Sequence, residues 1–241
     1  LATLASSLDR QKRHRAADTA YLRAIASLDS SGNGETMDRA IVEHDLAVSL
    51  NDLGETAEAE RLLHDVLVRI ERSDPTAHLP SQPLIHYAQV ASLNGSLDSS
   101  QKFFSMLAEQ AAQEHSSYWE GRALFGLAQA QLRGSEVASA RKTVERFRSL
   151  AANTKLSNTD DHIVDIGVLD ARLQLLSGDA AAAYASASGA LHAHGYFEGL
   201  RKMTMREALI LASQAALESG HAGAALGLAR DARPVATLDS L

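Results

Sequence analysis

The segment AVSLNDLGETAEAERLL, residues 47–63, contains one complete copy of the pattern from which the fold can be predicted. It places a small residue, Ala47, seven positions before Gly54, and a second small residue, Ala59, four positions before Leu63. Glycine ends a helix at low cost because it adopts the left-handed conformation, and the acidic and hydroxyl residues that follow favour the start of a second helix. The segment therefore predicts two antiparallel helices that cross closely at the alanines.

The same pattern recurs along the whole chain at a period of about 42 residues. One small residue returns at Ala5, Ala47, Ala88, Ala128, Ala171 and Ser213. A second returns 12 residues after each of these, at Ala17, Ala59, Ser100, Ala140, Ala183 and Ala225. This constant offset predicts six copies of one helix–turn–helix unit.

A turn residue and an apolar face accompany each copy. Gly54, Gly95, Gly178 and Gly220 lie seven residues after the first small residue, Gly134 lies six after, and Lys12 occupies this place in the first copy. Four residues after the second small residue stand Tyr21, Leu63, Phe104, Val144, Ala187 and Ala229. Seven after it stand Ala24, Val66, Leu107, Phe147, Ala190 and Ala232. This spacing predicts that one face of every second helix is buried.

Composition agrees with an all-α protein. Hydrophobic residues make up 45% of the 241 residues, which is enough for a sizeable core, and only four prolines interrupt the chain. Alanine, leucine, glutamine and arginine favour helix, whereas the β-branched and aromatic residues that favour strands are sparse.

Charge and cysteine content narrow the classes of partner. A net charge of −7 argues against a direct nucleic-acid or anionic-membrane surface, since such partners require concentrated lysine and arginine. No stretch approaches the roughly 20 apolar residues that span a bilayer. The absence of cysteine suits a cytoplasmic protein and also fits a cysteine-free exported one, and we expect the cytoplasm.

The repeated small residue, turn, small residue and large apolar residue resemble the tetratricopeptide repeat. The period is longer than the usual value of about 34, so the units are most similar to the long variants in kinesin light chains and bacterial regulators. The resemblance implies a right-handed superhelical α-solenoid of about six antiparallel helix pairs. We expect one array with units near 1–35, 36–78, 79–116, 117–158, 159–200 and 201–241, as part of a longer chain; residues 157–161 mark an alternative boundary between two halves. Asp170 departs from the pattern because that position is usually apolar.

In such an array the first helices line the concave face. Counting one residue after and three before each small residue of the first helix predicts the exposed positions of a ligand groove. These are His44, Val48, Ile85, Gln89, Phe125, Gln129, Val168, Arg172, Ile210 and Gln214. Their mixture of amide, apolar, aromatic and basic side chains suits an extended peptide or an amphipathic helix. The alternative is that they are solvated or partly buried without a ligand.

Aromatic and basic clusters have structural explanations that we favour. Tyr118-Trp119 and Tyr196-Phe197 each lie near the start of a first helix, and burial in the core or between repeats is favoured over an exposed binding rim. The basic run Arg10 to Arg15 is expected to be a solvated turn rather than a site for an acidic partner.

No metal, cofactor or catalytic site is expected. His192 and His194 do not share a helix face, and the acidic stretch Asp160 to Asp165 suits a helix N-terminus better than a metal. The sequence contains no nucleophile elbow, phosphate loop, dinucleotide fingerprint or zinc-protease motif. We therefore predict that the chain as given is not an enzyme.

Two functions remain open from the sequence. The first is a scaffold or sensor module of a larger bacterial signalling protein, a kinase or a transcriptional regulator, that binds a protein or peptide in its groove. The second is a structural array that self-associates through its terminal faces, because no obvious capping helix follows Asp231 to Pro234.

Overall fold

The computed structural model describes residues 1–34, 36–73, 78–153, 159–194 and 202–237. Within these ranges the chain forms twelve α-helices and no strands, as predicted. They are α1 (Ala2–Arg10), α2 (His14–Ser30), α3 (Met37–Asp52), α4 (Thr56–Ser73), α5 (Ser81–Leu93), α6 (Leu97–Gln113), α7 (Ser117–Arg133), α8 (Val137–Asn153), α9 (Thr159–Leu176), α10 (Ala180–His194), α11 (Lys202–Glu218) and α12 (Ala222–Thr237).

The chain divides into two compact units of three helix pairs each. The N-terminal unit is Leu1–Glu114 and the C-terminal unit is His115–Leu241, so the division does not fall at residues 157–161. In the N-terminal unit α3 contacts both α1 and α5. In the C-terminal unit α9 contacts both α7 and α11. Each unit thus stacks its first helices side by side.

The two series of small residues form the crossings of the helix pairs. Ten of the twelve, all except Ser213 and Ala225, have no exposed surface. The serines are satisfied across the same crossings: Ser100 Oγ donates to the Ala88 carbonyl at 2.8 Å, and Ser213 Oγ donates to the Ala225 carbonyl at 2.9 Å. A serine is tolerated in a close crossing because its hydroxyl gains a hydrogen bond there.

The turn within each pair has the same backbone geometry in all six copies. Its left-handed residue lies seven positions after the first small residue every time, and it is a glycine in four copies. Lys12 and Ser135 adopt the same conformation, with φ of 60° and 62°. Gly134 has a φ of −77°, so the prediction that it is the left-handed residue of the fourth copy is wrong. The position within the helix crossing determines the conformation, even where glycine is missing.

Large side chains fill the space beside the crossings. Tyr21, Leu63, Phe104, Val144 and Phe147 are almost completely buried, as their spacing predicts. Burial, together with the nearby carboxylate of Asp45, raises the pKa of the Tyr21 phenol to about 12. The apolar stripe of the second helices therefore forms the core of each unit, except on α12, where Ala229 is exposed and the predicted burial is wrong.

Asp170 is accommodated at its unusual position by an ion pair. Arg148 Nη2 on α8 donates to both carboxylate oxygens of Asp170 on α9 at 2.9 Å. This hydrogen bond raises the pKa of the Arg148 guanidinium. The departure from the repeat pattern therefore connects α8 to the next helix.

A buried carboxylate connects the helices of the second pair. Glu43 on α3 is only 4% exposed and accepts a hydrogen bond from Arg39 Nε at 2.7 Å. Arg69 Nη2 on α4 lies 3.3 Å from the other carboxylate oxygen of Glu43. The hydrogen bond to Glu43 raises the pKa of Arg39, whose guanidinium also pairs with Asp29 at the end of α2. We call Glu43, Arg39 and Arg69 the Glu43 cluster.

None of the helices in the described ranges is both long and apolar enough to cross a membrane.

Candidate functional site

A pocket opens on the first-helix face of the C-terminal unit, the surface formed by α7, α9 and α11. Its volume is about 580 Å³. It is lined by Leu132 of α7, by Arg172, Leu175 and Leu176 of α9, and by Arg206, Glu207, Ile210, Leu211 and Gln214 of α11. All lining residues belong to one compact unit, so the pocket is built by the packing of adjacent first helices.

Glu207 is the polar centre of this surface. Gln129 Nε2 on α7 donates to Glu207 Oε2 at 3.0 Å, and Arg172 Nη2 on α9 lies 2.6 Å from Glu207 Oε1. The side chains of Glu207 and Arg172 are 21% and 32% exposed, although the Oε1 atom of Glu207 is itself buried. One carboxylate thus connects three helices at the wall of the pocket. We call Glu207, Gln129 and Arg172 the Glu207 cluster.

Exposed apolar side chains lie beside this cluster. Leu176 is 57% exposed and Ile210 is 47% exposed, and both line the pocket. Gln214, one turn beyond Ile210, donates from Nε2 to Glu218 Oε1 at 2.9 Å, which leaves its amide oxygen available as an acceptor. The pocket therefore offers apolar contact next to fixed donors and acceptors.

Some of the groove residues predicted from the C-terminal repeats lie at this pocket. Arg172, Ile210 and Gln214 line it, and Gln129 contacts its central carboxylate. Phe125 is half-buried, and Val168 has no exposed surface, so Val168 is a core residue.

The N-terminal unit arranges its predicted groove residues differently. His44 Nε2 on α3 and His86 Nδ1 on α5 lie 2.8 Å apart. Ring centroids 5.0 Å apart at an interplanar angle of 16° place the two imidazoles edge to edge, with one ring donating to the other. Val48 is half-buried, Gln89 is exposed, and Ile85 is only 1% exposed, which makes Ile85 part of the core. The two histidines therefore form a hydrogen bond with each other between α3 and α5.

Glu207, Arg206 and Leu176 are pocket residues that the spacing rule missed. The rule stopped three residues before each small residue, whereas Glu207 and Arg206 lie six and seven before Ser213. Extending the count by one more helical turn includes both, because i and i+3 or i+4 share a helix face. The sequence thus contained a usable signal for these two residues.

The other singled-out motifs lie outside the pocket. Tyr118 is 43% exposed and packs with Trp119 against the guanidinium of Arg122, so the prediction that Tyr118 is buried is wrong. Tyr196 and Phe197 lie outside the described residues. The basic run between α1 and α2 is exposed except for His14, whose Nδ1 lies 2.6 Å from Asp9.

The described histidine and acidic residues of α9 and α10 do not form a common site. His192 Nδ1 contacts the Ser188 carbonyl within its own helix. His162 and Asp165 are buried in α9, where the His162 ring packs edge-on against Phe147. The side chains of Asp160, Asp161 and His194 lie outside the described residues. Among the described side chains, no group of three metal-ligating residues is present.

Several solved structures are similar to this chain. The apo form of the quorum sensor NprR from B. thuringiensis superposes with a TM-score of 0.72 at 10% identity. The superposition covers 98% of this chain, and this chain spans 64% of the length of that protein. BtubC from P. vanneervenii gives a TM-score of 0.61 at 14% identity, covering 94% of this chain and 91% of that one. A putative kinesin light chain with tetratricopeptide-like repeats from P. anserina gives 0.58 at 17% identity, covering 82% and 94%. No family model and no curated protein matches the sequence.

Proposed function

Because the chain has the fold of the tetratricopeptide-repeat family, in the long-unit form of kinesin-light-chain-like and bacterial regulator arrays, we propose that it is a non-catalytic peptide-binding module. It holds a peptide segment of a partner protein in the pocket of the C-terminal unit. The observation that carries this proposal is the exposure of Leu176 and Ile210 around the Glu207 cluster.

The dimensions and chemistry of the pocket support a peptide. A volume of about 580 Å³ lies within the range of about 300–1,000 Å³ that ligand sites occupy. The exposed Leu176 and Ile210 can receive an apolar side chain, while Arg172 and Gln214 present polar groups to a peptide backbone. Large apolar side chains beside fixed polar groups are typical of binding surfaces rather than of plain solvated helix faces.

The wider role is that of a sensor region in a larger bacterial signalling protein, either a kinase or a transcriptional regulator. A quorum sensor among the similar structures supports a sensor role. Peptide binding across α9 and α11 would favour one packing of these neighbouring helices, and the rest of the protein would respond to that packing.

Phage display tests the proposal directly. A random dodecapeptide library is panned against the whole chain, and enriched peptides are synthesised with a fluorescent label for anisotropy titration. We expect enrichment, and we expect Ile210→Asp to weaken binding by about tenfold or more because it places a charge among apolar contacts.

Leu226→Asp is the matched control. Leu226 is 55% exposed on α12 of the same unit, outside the pocket, so its replacement should leave the affinity unchanged. Circular dichroism of both variants establishes that the helices are retained. Failure to enrich any peptide, or equal affinity of the Ile210→Asp variant and the wild type, would contradict the proposal.

Sedimentation velocity examines self-association as the competing role. We expect a mass that does not change with protein concentration. A concentration-dependent mass that Ile210→Asp abolishes would instead identify the pocket as a contact between copies of the chain.

A further inference from the structure

Resting on the proposed peptide-binding function, we infer that the pocket selects an acidic peptide: a carboxylate binds Arg172 and Arg206 while a neighbouring aliphatic side chain packs on Leu176 and Ile210. We further infer that Glu207 is an internal competitor for the same arginine.

The charge of the pocket differs in sign from that of the chain. The residues lining it include two arginines and one glutamate, a formal charge of +1, on a protein of net charge −7. A local excess of positive charge in a concave site attracts anions and repels cations. The peptide that fits this pocket is therefore negatively charged where it meets α9 and α11.

Both arginines retain the capacity to bind a carboxylate. A guanidinium has five N–H donors, and the only polar partner described for Arg172 is Glu207, at its Nη2 atom. Arg206 is exposed, and within the described part of the chain it has no ion-pair or hydrogen-bond partner. Guanidinium groups bind carboxylates with two parallel hydrogen bonds, which gives geometric selectivity for this group.

Glu207 already occupies part of that donor set. Its Oε1 atom lies 2.6 Å from Arg172, and Gln129 holds its other oxygen at 3.0 Å. An incoming carboxylate must share Arg172 with this fixed carboxylate, and the two negative charges repel each other. Glu207 therefore keeps the affinity for an acidic peptide below what the arginines alone would give.

Apolar contact is available within the same site. Leu176 and Leu175 on α9 and Ile210 on α11 line the pocket together with both arginines. A carboxylate next to a leucine, isoleucine or phenylalanine side chain satisfies the two kinds of surface at once. An acidic residue adjacent to a large apolar residue is thus the expected motif.

The test uses the dodecapeptides enriched by the wild-type chain. We expect them to contain aspartate or glutamate beside a large apolar residue. Arg206→Gln should weaken their binding by about tenfold, the value of a charge-assisted hydrogen bond. Glu207→Gln, which keeps an acceptor for Gln129, should tighten binding by about fivefold because it removes the competing charge.

Two controls isolate the charge effect. Arg148→Gln removes an arginine of the same unit whose ion pair with Asp170 lies outside the pocket, and it should leave affinity unchanged. Peptides in which the acidic residue is replaced by its amide should bind more weakly to the wild type, and Glu207→Gln should not change their affinity.

The outcomes separate this inference from the proposed function. If no peptide is enriched, the proposed function itself fails. If peptides are enriched but are neutral or basic, or bind the Arg206→Gln variant equally well, peptide binding stands and the acidic motif is wrong. Weaker binding of acidic peptides by Glu207→Gln would overturn the role of Glu207 as a competitor.

Discussion

Each unit has a glutamate on a first helix that is bound by side chains of other residues, but the two glutamates differ in exposure. In the N-terminal unit Glu43 is enclosed by Arg39 and Arg69 and is only 4% exposed. In the C-terminal unit Glu207 contacts Gln129 and Arg172, yet its side chain is 21% exposed at the wall of an open pocket.

The two carboxylates are both bound by donors from a neighbouring helix and differ in how much of each is covered; under the proposed function only Glu207 is open to a ligand. A buried ion pair has exchanged water for protein donors, so removing one partner leaves an uncompensated charge. A pair that is partly open to solvent, as Glu207 and Arg172 are, loses less hydration on folding and contributes less to stability. We therefore assign the Glu43 cluster to stability and the Glu207 cluster to ligand selection.

Removal of the two carboxylates should affect stability unequally. Glu43→Ala should lower the free energy of unfolding by about 3 kcal/mol because it leaves two arginines without their buried counter-charge. Glu207→Ala should lower it by about 1 kcal/mol or less. Urea unfolding followed by far-ultraviolet circular dichroism measures both. Equal losses in the two variants would remove the distinction between the clusters.

The stability of the C-terminal unit should depend on packing behind the pocket face. An ideal Cβ added to Gly121 on α7 would lie 2.5 Å from Cε1 of the His162 ring on α9. That ring is buried against Phe147, so it cannot turn away freely. Gly121→Ala should therefore lower the free energy of unfolding by about 2 kcal/mol. The fluorescence of Trp119, the single tryptophan, reports unfolding of this unit.

Two further variants establish whether the clash is the cause. A Cβ at Gly189, on α10 of the same unit, would meet no atom within 4 Å, so Gly189→Ala should stabilise by about 0.5–1 kcal/mol. In a His162→Ala background, Gly121→Ala should lose most of its cost. An unchanged cost there would show that the imidazole is not the obstacle.

The turns within the helix pairs have the same left-handed residue in the two units, so glycine should be preferred there in both. The expected changes in stability are the smallest of those predicted. Gly54 in the N-terminal unit and Ser135 in the C-terminal unit are both left-handed. Gly54→Ala should destabilise by about 1 kcal/mol and Ser135→Gly should stabilise by a similar amount, because only glycine adopts this conformation without strain. Thermal unfolding of both variants measures the shifts, and shifts of the same sign would contradict a shared turn geometry.

Much of the fold followed from local spacing. Alanine and serine at a fixed offset identify the helix crossings, because only small side chains allow such close approach. The turn of the fourth copy was misplaced by one residue, since glycine preference pointed to Gly134 whereas the packing required the left-handed residue at Ser135. Tertiary packing here overrides a local preference of about 1 kcal/mol.

The candidate site could be predicted only in part. Arg172, Ile210 and Gln214 follow from their place beside the small residues and line the pocket. The same rule also selected Ile85 and Val168, which are buried. The spacing rule gives the position of a residue along its helix but not how closely a neighbouring helix covers the side chain. It therefore cannot separate exposed residues from core residues.

The sequence alone determined the all-α class, the six helix pairs and the phase of their crossings, because each depends on residues within one turn or one helix pair. Which polar side chains contact one another became clear from the three-dimensional packing of the helices. Gln129, Arg172 and Glu207 come from three different helices, and His44 meets His86 across two. Such meetings depend on the rotation and spacing of neighbouring helices, which the packing of whole side chains sets. The same repeat therefore joins two histidines in the N-terminal unit and opens a pocket in the C-terminal unit.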